Sequence, residues 1–169
     1  MRNCVFFIFL VIVCSTANAV DINDQAKSCP ATIAKGGASL DLKQYQGKVV
    51  YLDFWATWCP PCKQSMPFLN ALRNELKGQG FEIVAISVDE NPDEARQFLQ
   101  KYPVDYVTAM DPTGQCPKQY DVMAMPSAYI LDRQGKVRYI HLGFRERDEK
   151  EIREYILNLL AEKSREVQS

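Results

Sequence analysis

Histidine is almost missing from this chain: His141 is the only one among 169 residues. It falls in a strand-like stretch far in sequence from the cysteine cluster. A Cys-His hydrolase needs its histidine beside the nucleophile, so that class is disfavoured. An excess of charge is missing too. Twenty Lys and Arg against 21 Asp and Glu leave a net charge of −1. With no basic stripe, nucleic acid is not an expected partner, and the charges read as a solvated surface. There is no internal repeat, no low-complexity tract and no Ser/Gly linker. A chain of 169 residues without such breaks is expected to form a single domain.

An apolar run long enough to cross a bilayer comfortably is also lacking. The nearest candidate is Cys4–Cys14, which follows Arg2 and precedes Ala17-Asn18-Ala19. A positive residue, a short apolar stretch and an A-x-A site form the layout of a secretory signal peptide, predicted over residues 1–19. The alternative is an uncleaved anchor, in which the run extends through Ser15–Val20. A lipoprotein would want a small residue before the cysteine, whereas Val13 precedes Cys14. The mature domain is then residues 20–169.

Export changes the meaning of the cysteines. Removing Cys4 and Cys14 from the six leaves Cys29, Cys59, Cys62 and Cys116. Disulfides persist in oxidising compartments. Cys59 and Cys62 have redox-pair spacing; Cys29 and Cys116 either pair with each other or remain free thiols. A four-cysteine zinc site would normally show two close pairs and only one is present, so no metal is expected.

The remaining pattern alternates strand and helix. Lys48–Phe54 is β-branched and apolar, the mark of a buried central strand. Cys59–Leu76 carries Met66, Leu69, Leu72 and Leu76 at helical spacing, and Gly78-Gln79-Gly80 ends it. Phe81–Val88 is the next strand. Asn91-Pro92-Asp93-Glu94 opens a helix running to about Tyr102. Tyr106–Met110 reads as a short strand, Asp111–Gly114 as a turn and Gln115–Tyr120 as a short helix. Ser127–Leu131 and Lys136–Leu142 flank the turn Asp132–Gly135 as a hairpin. From Asp148 a last helix carries Ile152, Tyr155, Ile156, Leu159 and Leu160 on one face. This order predicts an α/β fold: a mixed central sheet with helices on both faces.

Residues 55–63, Trp-Ala-Thr-Trp-Cys-Pro-Pro-Cys-Lys, join the first long strand to its helix. Cys59 therefore stands at a helix N-terminus, where unpaired N–H groups and the macrodipole favour thiolate. Cys62 is one turn on, within reach to close a disulfide. The run from Asp53 to Lys63 resembles the active-site segment of thioredoxins. Pro67 resembles the proline that kinks their first long helix, and Met125-Pro126-Ser127 their cis-proline segment. The signal peptide, the Leu42–Gly47 lead-in and the inserted helix–strand segment Asn91–Met110 are similar to the exported TlpA/ResA-type branch. The resemblance covers about residues 28–160.

The resemblance implies a thioredoxin-like thiol–disulfide oxidoreductase, exported to a bacterial periplasm and working without a cofactor. Cys59 attacks, Cys62 resolves, and Trp58, Pro60, Met125 and Pro126 contact the partner protein. Electrons come from a membrane-bound reductase; exported proteins, including thiols of cytochrome c maturation, are the targets. The chain is expected to be a monomer. Asp53 departs from the branch, whose members often carry Asn there. Alignment puts Ala85, not Lys, in the neighbouring strand, so Asp53 is expected to be a buried acid without a cation and a proton acceptor for Cys62; a half-buried, water-reached Asp is the bland alternative. Trp55 is expected to pack under the sheet, and Lys63 to be a solvated helix residue. Three other functions use overlapping features: an oxidase with the same residues, a thiol peroxidase, and a copper carrier. The peroxidase lacks support from the CxxC context. The copper carrier would want wider cysteine spacing and a histidine.

Overall fold

The computed structural model describes residues 19–33 and 35–166, so the predicted signal segment lies outside the described residues except for Ala19. Six strands form one sheet in the order β1-β4-β3-β2-β5-β6. They are β1 (Thr32–Ile33), β2 (Val49–Trp55), β3 (Phe81–Ser87), β4 (Val107–Met110), β5 (Ser127–Leu131) and β6 (Val137–Leu142). The helices are α1 (Pro60–Leu76), α2 (Pro92–Lys101), α3 (Gln115–Tyr120) and α4 (Asp148–Glu166). β2, β3 and β4 run parallel, while β5 is antiparallel to β2 and β6 to β5. The mixed sheet agrees with the strand–helix alternation of the sequence.

Every residue of β2 and β3 is buried, as central strands covered on both faces require. Their alternating side chains divide the core in two. Val49, Tyr51, Ile83 and Ala85 face α1 and α4 through Leu69, Leu72, Ile152 and Ile156. Val50, Leu52, Phe54, Val84 and Ile86 face α3 and the N-terminal lead-in through Cys116, Tyr120, Cys29 and Leu40. Asp53 occupies the first parity, in line with Tyr51 and Trp55. It is the acid in an otherwise apolar strand.

The boundaries move by a residue or so. The first long helix begins at Pro60 with Cys59 as its cap, β4 begins at Val107 and β6 at Val137. Strand β1 has no counterpart in the sequence reading. Two residues carry no readable period, and tertiary pairing makes them a strand: Thr32 lies opposite Met110 and Ile33 opposite Ala109. The lead-in is further tied down by a bridge between Gln25 and Lys136 and by Tyr120 Oη–H donating to the Lys27 carbonyl at 2.8 Å.

Candidate active site

Strand β2 delivers the chain to the site, and a carboxylate on the neighbouring β3–α2 connection fixes the loop that follows. Asp89 is 3% exposed. It accepts from the Thr57 N–H at 3.1 Å, the Thr57 hydroxyl at 2.8 Å and the Ser87 hydroxyl at 2.8 Å. The Val88 N–H also donates to the Trp55 carbonyl at 2.9 Å. The chain then turns into α1, with the Cys59 N–H donating to the Ala56 carbonyl. Sequence reading passed over Asp89. Its signal was only a polar residue directly after an apolar strand, which is common at strand ends.

Cys59 caps α1 in an extended conformation, with φ −101° and ψ 99°, and its sulfur accepts from the Cys62 N–H at 3.2 Å. Pro60 and Pro61 follow, where a missing N–H leaves no bond unmade. No acidic residue stands in the first turn of α1 to oppose negative charge on the sulfur. Cys59 and Cys62 are joined by a disulfide with Cα atoms 5.3 Å apart. Both are nearly buried, at 4% and 1% exposed. The Ser65 hydroxyl donates to the Cys62 carbonyl at 2.9 Å. Lys63 is exposed, as the sequence suggested, and its ammonium lies 4.3 Å from the centre of the Tyr102 ring at the end of α2. That is a cation–π contact.

Asp53 lies between two alanines: Ala85 opposite it on β3 and Ala128 opposite it on β5. It is 2% exposed, and its Oδ1 has no hydrogen-bond partner among the described residues. Burial without a cation pushes its carboxyl up to about 8. Asp53 and Cys62 belong to the same face of the sheet, the face covered by α1. Trp55 is fully buried there, its ring centre 5.4 Å from that of Phe98.

The exposed side of the disulfide opens on a groove of about 420 Å³. Trp58, Cys59, Pro60 and Pro61 form one wall; Val122, Met123, Ala124 and Met125 form the other. Trp58 is 65% exposed and Met123 84%, an unusual display of large apolar surface. The Met125–Pro126 peptide is cis. Pro126 is buried behind the wall rather than lining it, and its carbonyl accepts from the Gly143 N–H at 2.8 Å. Val122, Met123 and Ala124 were not singled out from the sequence, because nothing local says that a turn after a short helix will face the cysteines. His141 stands apart on β6, 3.6 Å from Asp148.

A cysteine pair at the start of the helix after the central strand, facing a cis-proline loop, defines the class: thiol–disulfide oxidoreductases of thioredoxin-like fold. The family model for Redoxin matches residues 21–156. The chain is 35% identical over 120 residues to Thiol-disulfide oxidoreductase ResA of Bacillus thuringiensis subsp. konkukian, covering 71% of this chain and 68% of that protein. A structure from Chlorobium tepidum, described as a thiol:disulfide interchange protein DsbE, is 40% identical with a TM-score of 0.80; it covers 84% of this chain and 99% of that one. A Bacteroides thetaiotaomicron structure at 24% identity and TM-score 0.77, covering 89% and 96%, shares the fold. This chain belongs to the Redoxin family, among thiol–disulfide oxidoreductases of the ResA type.

Proposed function

We propose that the protein reduces disulfides in partner proteins, with Cys59 as nucleophile and Cys62 as resolving thiol. The observation that carries this reading is the helix-capping position of Cys59 beside an apolar groove. Reduced Cys59, as thiolate, attacks a partner disulfide; one partner sulfur leaves as thiolate and a mixed disulfide forms. Cys62 gives up its proton and attacks the Cys59 sulfur. The second partner thiolate leaves, and the Cys59–Cys62 disulfide holds the two electrons' worth of oxidation removed from the partner. Asp53 takes the Cys62 proton in its ionised form, whose fraction grows as pH rises toward about 8; its raised basicity, matched to a thiol, keeps that transfer close to balanced.

Trp58, Pro60 and Met125 offer apolar contact to an extended partner segment, and Met125 supplies backbone groups for strand addition. Pro126 shapes that wall from behind. Among the described residues no helix is long and apolar enough to cross a membrane. The predicted signal peptide, residues 1–19, delivers the domain to the periplasm or, uncleaved, anchors it there. A membrane-bound reductase resets the Cys59–Cys62 disulfide, and the domain works as a monomer without cofactor or metal. Reduction of a peptide disulfide by the mature protein under a dithiol donor tests this reading; catalysis in the forming direction only would replace it with an oxidase that uses the same residues.

A further inference from the structure

The second disulfide lies outside the exchange chemistry, yet it is connected to the groove. Cys29 and Cys116 are bridged with Cα atoms 5.0 Å apart, across 87 residues of sequence. They are 6% and 0% exposed, so neither sulfur is offered to a partner protein. Cys116 is the second residue of α3, and its N–H donates to the buried Asp111 carboxylate at 2.6 Å. The helix is six residues long, too short to be stable by itself. At its end Asp121 turns into the left-handed region at φ 53°, and the Val122 N–H donates back to the Pro117 carbonyl at 2.9 Å. The chain is then the Val122–Met125 wall of the groove. The wall thus runs between two anchors: α3, covalently tied to the lead-in through Cys116, and the start of β5, where the Ser127 hydroxyl donates to the Ala124 carbonyl at 2.7 Å. Tyr120 adds a second tie: its hydroxyl holds the Lys27 carbonyl, and its own carbonyl receives the Tyr129 hydroxyl.

We infer that the Cys29–Cys116 disulfide is a positioning device for substrate capture, holding α3 so that the Val122–Met125 wall stands opposite Trp58. The inference rests on the reading of the groove as the partner-protein site. Pre-set walls reduce the ordering that a bound segment must impose. Losing the tie therefore weakens capture of an extended segment and leaves sulfur chemistry at Cys59 as it was. The protein reaches this state only after its own thiols have been oxidised, which links a competent groove to an oxidising compartment.

The test compares two substrates on the mature protein carrying Cys29→Ala and Cys116→Ala, below its melting temperature. One is a disulfide-bridged peptide with an apolar extended segment. The other is 5,5′-dithiobis(2-nitrobenzoate), which is too small to span the groove. The expected result is a rise in KM for the peptide of about five- to tenfold with kcat retained, and an unchanged rate with the small reagent. An unchanged peptide KM overturns the inference, as does a parallel fall with both substrates. Met123→Ser, with both disulfides intact, separates the inference from the reading beneath it. If Met123→Ser leaves the peptide KM unchanged, the groove itself is not the partner site. If it raises KM while the double variant does not, only the positioning role fails. Should the double alanine variant not fold, Cys29→Ser with Cys116→Val removes the bridge while filling more of the buried space, and meets the same two-substrate comparison; a rise in peptide KM alone supports the inference and no change contradicts it.

Discussion

At Asp53 the sheet places an acid between Ala85 and Ala128, with neither a cation nor a hydrogen-bond donor reaching Oδ1. Desolvation raises the folded-state pKa from 3.8 to about 8. The native state therefore holds a proton that the unfolded chain releases above pH 4. Stability from this group is full at low pH and declines as pH rises through the window from about 4 to about 8. Asp53→Asn should flatten that decline, and at pH 8 should be more stable than the parent by on the order of 1–3 kcal/mol, read by denaturant titration. The same variant should slow resolution of the mixed disulfide by about a hundredfold. Stopped-flow exchange from pH 6 to 9 checks this; an unchanged profile removes Asp53 from proton transfer. The thiols should behave unequally. Cys62→Ser should accumulate mixed disulfides with a peptide substrate, and Cys59→Ser should abolish exchange, both seen by non-reducing mass spectrometry. These residues were legible because each has a positional signature: a CxxC between strand and helix, and an acid inside an apolar strand. Asp89 was not, since its role is created by folding, when the β3–α2 connection comes beside Thr57.

The start of α1 depends on more than its own sequence. Prolines and a capping sulfur begin the helix, but the Asp89 carboxylate holds the preceding loop in place by accepting from the N–H and hydroxyl of Thr57. Asp89→Ala leaves those half-buried donors and the buried Ser87 hydroxyl without their acceptor and should cost about 1–3 kcal/mol in thermal or chemical unfolding. It should also broaden the amide signals of Thr57, Trp58, Cys59 and Cys62 relative to the parent. Among elements, long ones were read well: α1 and α4 kept their apolar faces, α2 began at its capping Asn91, and the β5–β6 hairpin kept its turn, with Gly135 at φ 77°. The two-residue β1 carried no period to read, and it exists because the lead-in is held against β4. The facing of Val122–Met125 toward the cysteines was invisible for the same reason. It is set by where α3 docks and not by any local preference.

Over the whole molecule the sheet separates two tasks. The face under α1 and α4 carries Cys59, Cys62 and the buried Asp53. The opposite face packs the lead-in, α3 and the second disulfide, and from it the groove wall extends. Closing a loop across 87 residues should make the Cys29–Cys116 bridge worth about 4 kcal/mol in the chain-entropy model, measured as the stability lost by the double alanine variant. Whether the Cys59–Cys62 pair acts as a reductant is decided by its potential. Equilibration of the mature protein against defined dithiol buffers, with the pair's state read by alkylation and mass, tests it most directly. A reducing pair should show a midpoint potential below about −200 mV at pH 7. A midpoint near −120 mV, the range of strong dithiol oxidants, would contradict it and assign the same two cysteines to disulfide formation.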